Sequence, residues 1–574
     1  VPARKITIDK CTNCLPYAAI APRTVTAVVA ADDASDEEKD QAEYICDGLL
    51  DKIEIQAALD AVPATGGTVM LLGHQFNLGD TADEDVDVLT ISKPHTVLHS
   101  PTFATLAADI GYGGYIVKIG ADYVKLSNLM VHQTGLEYDY QGDGIGFAQD
   151  ITNPVLDSLE INVEHGYYVV NAKAGATDAV INNCKCANHL KSKDSTNTNW
   201  RVLNCNLEDL SLYGDESVAM NNAIGDAFKI NGDKCVALNN TIVGSFSIAG
   251  DYCTAQGNNG VRVSLTGNYG YVIGNVFIGA DPYDGIYLQG NYNNAIANYV
   301  ADGAGHGIYV KYGDQCSLFG NTCVNNDEGI RIGYGSHNTR IVSNYCEANT
   351  TANIIVGGSS ASLHTVLIGN YAVSGTHYGI VLLGSSDYTQ LLGNVAIANV
   401  DPGIWLEEVE HCVIKGNMVY DNLVTEHGEG GITLYGDVDY CLIEGNKCFD
   451  TQDPKTQKYG IDIFAATCDA NLILGNDVRN NLTAGIHDAG TGTIIRNNPG
   501  YNPVGIASIV VGESPFTHTA GASPETVYVS GGTVQSITKG GNNFGLTAGV
   551  FELEPYESIV VTYTVAPTMF KDAH

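Results

Sequence analysis

An all-β solenoid, a parallel β-helix with a helical cap before it and a small antiparallel β domain after it, is predicted by three features of this 574-residue chain. An Asn recurs about every 23 residues, a Gly-Ile pair recurs out of phase with it, and the runs between them are too short for helices. The first comb is Asn275, Asn298, Asn321, Asn344, Asn370, Asn394, Asn417, Asn446 and Asn476, with spacings of 23, 23, 23, 26, 24, 23, 29 and 30. The second is Gly285-Ile286, Gly307-Ile308, Gly329-Ile330, Gly379-Ile380, Gly403-Ile404, Gly431-Ile432, Gly460-Ile461 and Gly485-Ile486. Runs such as Ile308-Tyr309-Val310 alternate apolar and outward residues, the signature of short strands with one buried face. A unit of that length cannot bury its own apolar face, so stacking must supply the core. Gly and Asn at the corners are expected to take left-handed backbone angles, and stacked Asn side chains to form hydrogen-bonded ladders.

Each segment of the chain follows from its own pattern. Residues 1–45 hold two extended apolar pieces, Lys5-Ile6-Thr7-Ile8 and Thr24 to Val29, then an acidic run from Asp32 to Asp40, and read as an N-terminal extended arm. Residues 46–100 read as a cap: Asp51 to Asp60 carries apolar residues at helical spacing, followed by Pro63, Gly66-Gly67 and the strand Thr68 to Leu72. Residues 101–502 read as the β-helix, the comb weakening toward Ile116 to Ile119, Val180-Ile181 and Val202-Leu203. In 503–574 the comb stops; alternation in Thr526 to Val529, Val534 to Ile537, Val550 to Leu553 and Ser558 to Tyr563 predicts an antiparallel β domain.

Composition narrows the function. With 28 Lys+Arg against 65 Asp+Glu the net charge is −37, a field that repels nucleic acid and anionic lipid. Only 16% of residues are charged and 44% are hydrophobic, so the chain is acidic yet able to bury a core. No stretch reaches 18 apolar residues, so no membrane insertion is expected. Fifteen Cys spread along the chain do not make a dense disulfide framework.

Cys46-Asp47-Gly48, Ile55 to Asp60, Gly66-Gly67-Thr68-Val69 and Phe76, together with the two combs, resemble the pectate-lyase-like right-handed parallel β-helix superfamily. The resemblance covers about residues 46–500 and implies a right-handed coil. That superfamily includes polysaccharide lyases, glycoside hydrolases, phage tailspikes and surface proteins, so it implies a shape more than a chemistry.

Asp284, His306 and Glu328 stand in one column just before the Gly-Ile comb, 22 residues apart, and are the candidate catalytic residues. The same column continues with Tyr378, Pro402, Gly430, Tyr459 and Ala484, which favours a solvated corner. Gly305-His306-Gly307, with Asp281, Asp284 and Arg340-Ile341, is similar to the polygalacturonase histidine motif, but Val342 replaces its Lys and the two Asp are not adjacent. Arg331 beside Glu328 reads as an ion pair. Tyr283, Tyr287, Tyr309 and Tyr312 are candidate glycan-binding rings, since aromatic faces stack on sugars. Cys11, Cys14 and Cys46 are candidates for a disulfide or a metal site. Cys316, Cys412 and Cys441, and Cys323, Cys346 and Cys448, recur at fixed offsets from the comb and are expected to be buried column fillers, Cys323 and Cys346 being placed for a bridge. Glu407, Glu408, Glu410-His411 and Glu426-His427 with Glu429 read as an acidic edge; no cofactor is expected, calcium being the ion such loops would take. Asn239, Asn349 and Asn481 lie in N-x-Ser/Thr sequons.

These readings lead to a non-enzymatic structural or adhesive subunit of an extracellular appendage, filament or phage-like fibre, located outside the cell, on its surface or on a virion. It would self-associate through the N-terminal arm and the C-terminal domain and present its long face to surface polysaccharide. The alternative is a polysaccharide lyase or glycoside hydrolase with a groove along the central coils.

Overall fold

A computed structural model describes residues 25–81, 86–110, 114–134, 142–163, 168–192, 194–280, 282–423, 430–501, 505–521 and 524–573. The chain divides into two compact units, Val1–Cys235 and Val236–His574. Parallel stacking is the organising feature inside each.

In the first unit, strand Val25–Ala30 lies parallel to Gly67–Leu72, with Val28 opposite Met70 and Val29 opposite Leu71. Gly67–Leu72 pairs with Thr96–Ile110, which pairs with Lys125–Gln133, which pairs with Val155–Asn162, all parallel. The register superposes Leu98, Leu126, Leu156, Ile181, Val202 and Ala219, each buried, in one inward column. Stacking therefore starts earlier than residue 101. Val25–Ala30 is also not part of a free arm: its hydrogen-bonding edge is used by the chain's own Gly67–Leu72. Residues 1–24, with Cys11 and Cys14, lie outside the described residues.

Helix Lys52–Ala61 turns Ile55, Ala58 and Leu59 inward against the strands, as its spacing predicts. Asp51 at its start is fully buried and accepts the backbone N–H groups of Gly48 at 2.8 Å and Asn77 at 2.7 Å. The following turn needs Gly66, whose φ is +90° and whose added Cβ would lie 2.4 Å from the carbonyl oxygen of His95.

In the second unit the coils up to Lys447–Phe449 carry three strands each. One coil is His306–Lys311, Ser317–Phe319 and Thr322–Val324, and the next is Glu328–Gly333, Arg340–Val342 and Tyr345–Glu347, matched strand for strand. The Gly-Ile comb fills one inward column, Ile286, Ile308, Ile330, Ile354, Ile380, Ile404, Ile432, Ile461 and Ile486, all buried. Cys316, Cys412 and Cys441, and Cys323, Cys346 and Cys448, are buried as expected, with Cys323 opposite Cys346.

The Asn comb forms a continuous ladder. Asn298 Nδ2 donates to Asn321 Oδ1 at 2.8 Å, and Asn321 Nδ2 donates to Asn344 Oδ1 at 2.9 Å. The same oxygen also accepts the backbone N–H of the preceding rung, and the same amide donates to a carbonyl, here Ala295 at 2.8 Å. The ladder runs further than the spacing of 23 indicates, through Asn240 and Asn258 at separations of 18 and 17, and ends at Asn498. The left-handed angle belongs not to these Asn but to the residue before each, for example Gly274, Ala297, Gly320 and Ser343. That residue makes the corner and turns the Asn amide into the core.

Residues 506–573 form two four-stranded antiparallel sheets, one of Ile506–Ile509, Glu525–Ser530, Gly549–Leu553 and Thr568–Ala573, the other of Phe516–Thr519, Thr533–Lys539, Asn542–Asn543 and Ser558–Val565. Val527, Val529, Ile537, Leu553, Ile559 and Val561 are buried between them. Buried Glu525 accepts from His518 at 2.6 Å and Lys571 at 2.8 Å.

Replacing Asn321 by Ala leaves the buried backbone N–H of Asn298 without its partner and removes one hydrogen bond each from the side chains of Asn298 and Asn344. The expected loss is about 3 kcal/mol, from unmade buried hydrogen bonds. Denaturant unfolding should show it, whereas Asn239→Ala, at the exposed corner before Asn240, should change stability far less.

Candidate functional site

Outward positions of the long strands in the second unit form a single column, because each strand alternates and its register is fixed. From Ser247 the column reads Ser264, Tyr287, Tyr309, Arg331, Ile355, Val381, Trp405, Thr433, Asp462 and His487. Beside it lie His306, Glu328, Ala352 and Tyr378, again in register. Asp284, at the foot of this second column, belongs to the preceding turn.

The three predicted catalytic residues are brought together. His306 Nδ1 lies 2.6 Å from Asp284 Oδ1, and its Nε2 lies 3.4 Å from Glu328 Oε2. Glu328 accepts Arg331 Nη1 with both oxygens, at 3.1 and 3.3 Å. The row is thus carboxylate, imidazole, carboxylate, guanidinium. It is not the solvated corner its neighbours in the sequence favoured: Glu328 is only 8% exposed. Burial pushes the Glu328 carboxyl above its usual range, against the opposing pull of Arg331 and His306.

Aromatic rings enclose this row. The His306 ring lies 4.4 Å from that of Tyr309, tilted by 35°, and the Tyr309 ring meets Tyr287 edge-on at 5.8 Å and Tyr334 at 6.4 Å. Tyr309 is buried, so it supports the site rather than offering a free face, which corrects its reading as a glycan platform. Its hydroxyl pKa is raised by burial. Tyr283 and Tyr312 are exposed. The Arg262 guanidinium sits 3.9 Å over Tyr283, and Lys311 Nζ sits 4.5 Å over Tyr334 and 5.6 Å over Tyr312. A cavity of about 230 Å³ opens beside Asp284, lined by Arg262, Val263, Ser264, Tyr283 and Tyr287. Lys311 and Tyr334 did not stand out in the sequence, since they lie off the Asp-His-Glu comb. Further along the same face Ile355 and Val381 are covered by Tyr378, Leu383 and Trp405, and Trp405 stacks on Tyr435 at 5.0 Å.

Other predicted sites look different in three dimensions. Glu407 accepts from Trp405 Nε1 at 3.0 Å, and His411 is stacked between Tyr388 and Tyr440. Glu426, His427, Glu429 and Asp281 lie outside the described residues. Asn349 is fully buried and hydrogen-bonded to Asn353, which closes that sequon to modification. In the first unit the structure adds a chain that sequence did not show: His189 lies 2.9 Å from Asp209 by Nδ1 and 3.0 Å from Ser211 Oγ by Nε2. The order is that of an acyl-transfer triad, but Ser211 is 2% exposed.

Among the described residues one group of three metal-ligating side chains converges, Cys46, Asp51 and Glu54, with ligand atoms within 4.8 Å. Burial, with Asp51 beside it, pushes the Cys46 thiol up, and burial also raises the Asp51 carboxyl.

A family model described as periplasmic copper-binding protein (NosD) matches residues 231–364, 274–446 and 360–502, overlapping spans that follow the repeat. Within that region no three His, Cys, Asp or Glu among the described residues bring ligand atoms together, since His306 turns its two nitrogens to opposite carboxylates. The Cys are buried column fillers, the thiol of Cys316 being pushed up to about 11 by burial. These residues do not fit a copper site. No curated protein matches the chain. Among solved structures it is similar to the mannuronan C-5 epimerase AlgE4 A-module of Azotobacter vinelandii, at 16% identity over 78% of this chain and 96% of that one, with a TM-score of 0.34. It is also similar to the periplasmic alginate epimerase AlgG, at 13% identity over 57% and 76%, with a TM-score of 0.36. A third is the tailspike protein of E. coli bacteriophage HK620 in complex with pentasaccharide, at 12% identity over 91% and 89%, with a TM-score of 0.30. With its parallel coils, Asn ladder and matched repeats, the chain is a right-handed parallel β-helix protein.

Proposed function

We propose that this is an extracellular, structural or adhesive β-helical subunit that holds a polysaccharide along the outward face of the second unit. The observation that carries this reading is the clustering, over four adjoining coils, of Tyr283, Tyr287, Tyr312 and Tyr334 with Arg262 and Lys311 around the Asp284-His306-Glu328-Arg331 row and its cavity. Flat rings offer stacking surfaces to sugar faces, and the charged row offers directional hydrogen bonds to hydroxyls. The long, repetitive face suits an extended polymer. Self-association through the N-terminal segment and the C-terminal sandwich belongs to the same proposal.

One observation favours a second reading, a polysaccharide-processing enzyme. Glu328 has a raised pKa and His306 is held between two carboxylates, which is how a general acid and base are tuned. His306 would move a proton at Nε2, oriented through Nδ1 by Asp284.

Affinity electrophoresis against a polysaccharide panel tests the first reading. Tyr283→Ala should weaken retention about tenfold, with product release below detection. Turnover of any polymer that is lost in both Asp284→Asn and His306→Ala replaces the structural reading with the enzymatic one.

Glu328 also makes a pH prediction. A carboxyl whose folded pKa lies above its ordinary value of 4.5 binds a proton more tightly when folded, so stability declines as pH rises through the window above 4.5. The difference in unfolding free energy between the wild type and Glu328→Gln should therefore change with pH across that window and be flat below it. Denaturant titrations at a series of pH values measure it.

A further inference from the structure

In the first unit, the segment that joins strand Tyr44–Ile45 to helix Lys52–Ala61 gathers acids that no basic side chain neutralises. Tyr44–Ile45 lies parallel to Val25–Ala30, and the N–H of Cys46 continues that pairing by donating to the Ala30 carbonyl at 2.9 Å. The chain then turns through Gly48, whose φ is +80°, into the helix. Cys46 after the strand, Asp51 before the helix and Glu54 in its first turn are thereby folded onto one another, with Sγ and the carboxylate oxygens within 4.8 Å. Cys46 is 3% exposed and Asp51 is fully buried, whereas Glu54 is half-buried and opens the group to solvent.

A second feature sets Cys46 apart from the cysteines of the coils. Cys184, Cys205, Cys412 and Cys441 each donate the thiol to the carbonyl two residues back, at 3.1 to 3.5 Å. Among the described residues the buried Cys46 thiol has no hydrogen-bonding partner, and it faces the two carboxylates instead. The Glu54 side chain has no hydrogen-bonding or ionic partner among the described residues either. Asp51 uses its two oxygens for the N–H groups of Gly48 and Asn77, and no Lys, Arg or His among the described residues pairs with it. A buried thiol without an acceptor, set against two carboxylates without a cation, costs free energy as it stands. A metal ion satisfies all three atoms at once.

We propose that Cys46, Asp51 and Glu54 bind a divalent cation of intermediate softness, zinc(II) or cobalt(II), with water completing a tetrahedron on the Glu54 side. The thiolate selects against calcium and magnesium, which take oxygen ligands, and one sulfur with two carboxylates is a donor set that zinc accepts, at ~2.3 Å from sulfur and ~2.0 Å from oxygen. On binding, a metal–sulfur bond replaces the S–H bond and the proton leaves to solvent, with no change of oxidation state. Glu54 closes on the ion from the open side. The ion ties the end of strand Tyr44–Ile45 to the first turn of the helix whose Ile55, Ala58 and Leu59 pack on the strands, so it fastens the cap of the first unit. This site is independent of the polysaccharide face proposed for the second unit.

Titration of the chelator-treated full chain with cobalt(II) tests this, because a thiolate ligand gives cobalt a charge-transfer band in the near ultraviolet and a tetrahedral site gives it an intense visible spectrum. The wild type should show both. Zinc(II) should displace the cobalt and raise the melting temperature, and magnesium(II) should do neither. Cys46→Ser should remove one equivalent of the charge-transfer absorbance. Glu54→Gln should weaken cobalt binding by about tenfold or more and cancel the rise in melting temperature with zinc. Glu37→Gln, at an exposed position, should change neither. Absence of the charge-transfer band, its full retention in Cys46→Ser, or undiminished affinity in Glu54→Gln would each overturn the proposal, and the half-buried Glu54→Gln decides it even should Cys46→Ser misfold.

Discussion

Coil-on-coil register, held by buried amides, is the constraint on which the rest of this molecule depends. A ladder Asn inside the second unit uses its oxygen for two donors of the coil before it and its amide for the coil after it and a core carbonyl, as Asn321 does with Asn298, Asn344 and Ala295. An Asn buried in an apolar core would be costly if any of these groups stayed unpaired. Because all are paired, a slip of one residue is penalised at every rung, and the apolar columns stay inward. The ladder tolerates uneven coils: Asn344 and Asn370 are 26 residues apart and Asn446 and Asn476 are 30 apart, yet their bonds remain 3.0 and 2.9 Å. Extra residues are accommodated in the corners.

Once the core is fixed in this way, the outer wall becomes a set of columns in which each position is chemically independent of the fold. That independence allows a charged row, an apolar patch and a stack of aromatic rings to coexist on neighbouring coils. The row at Asp284, His306, Glu328 and Arg331 balances burial of a carboxylate with a guanidinium and an imidazole at hydrogen-bonding distance. A buried charge is tolerated only with such partners, and losing one strands the other. Stacked rings have the opposite economy: at one coil spacing they satisfy each other, as Tyr252, Tyr269 and Tyr292 do.

The C-terminal sandwich follows a different logic, with two antiparallel sheets closing over an apolar layer and a buried charged cluster at Glu525. Burial opposes ionisation of Glu525, but the hydrogen bonds from Lys571 and His518 outweigh it and hold the carboxyl below its usual range. The interaction therefore persists above the ordinary Glu pKa and fades only as acid protonates the folded form.

Periodicity by itself determined the repeat, the inward Ile and Cys columns, the opening helix at Asp51 and four strands of the sandwich. Those features depend on alternation and spacing along the chain, which are local quantities. It also placed Asp284, His306 and Glu328 in one column, because equal spacing becomes vertical alignment once coils stack. What spacing could not reveal was which residues turn inward at a corner: the left-handed angle lies on the residue before each Asn, and only backbone geometry shows this. The short coils at Asn240 and Asn258 escaped for the same reason, since their separations of 18 and 17 break the count while their hydrogen bonds do not. Only the tertiary structure decided that Glu328 is buried against Arg331, that Val25–Ala30 is paired within its own unit, and that Arg262, Lys311 and Tyr334 join the candidate site. Burial and ring contact arise between coils, through side-chain directions that carry no signature in the order of residues along any one of them.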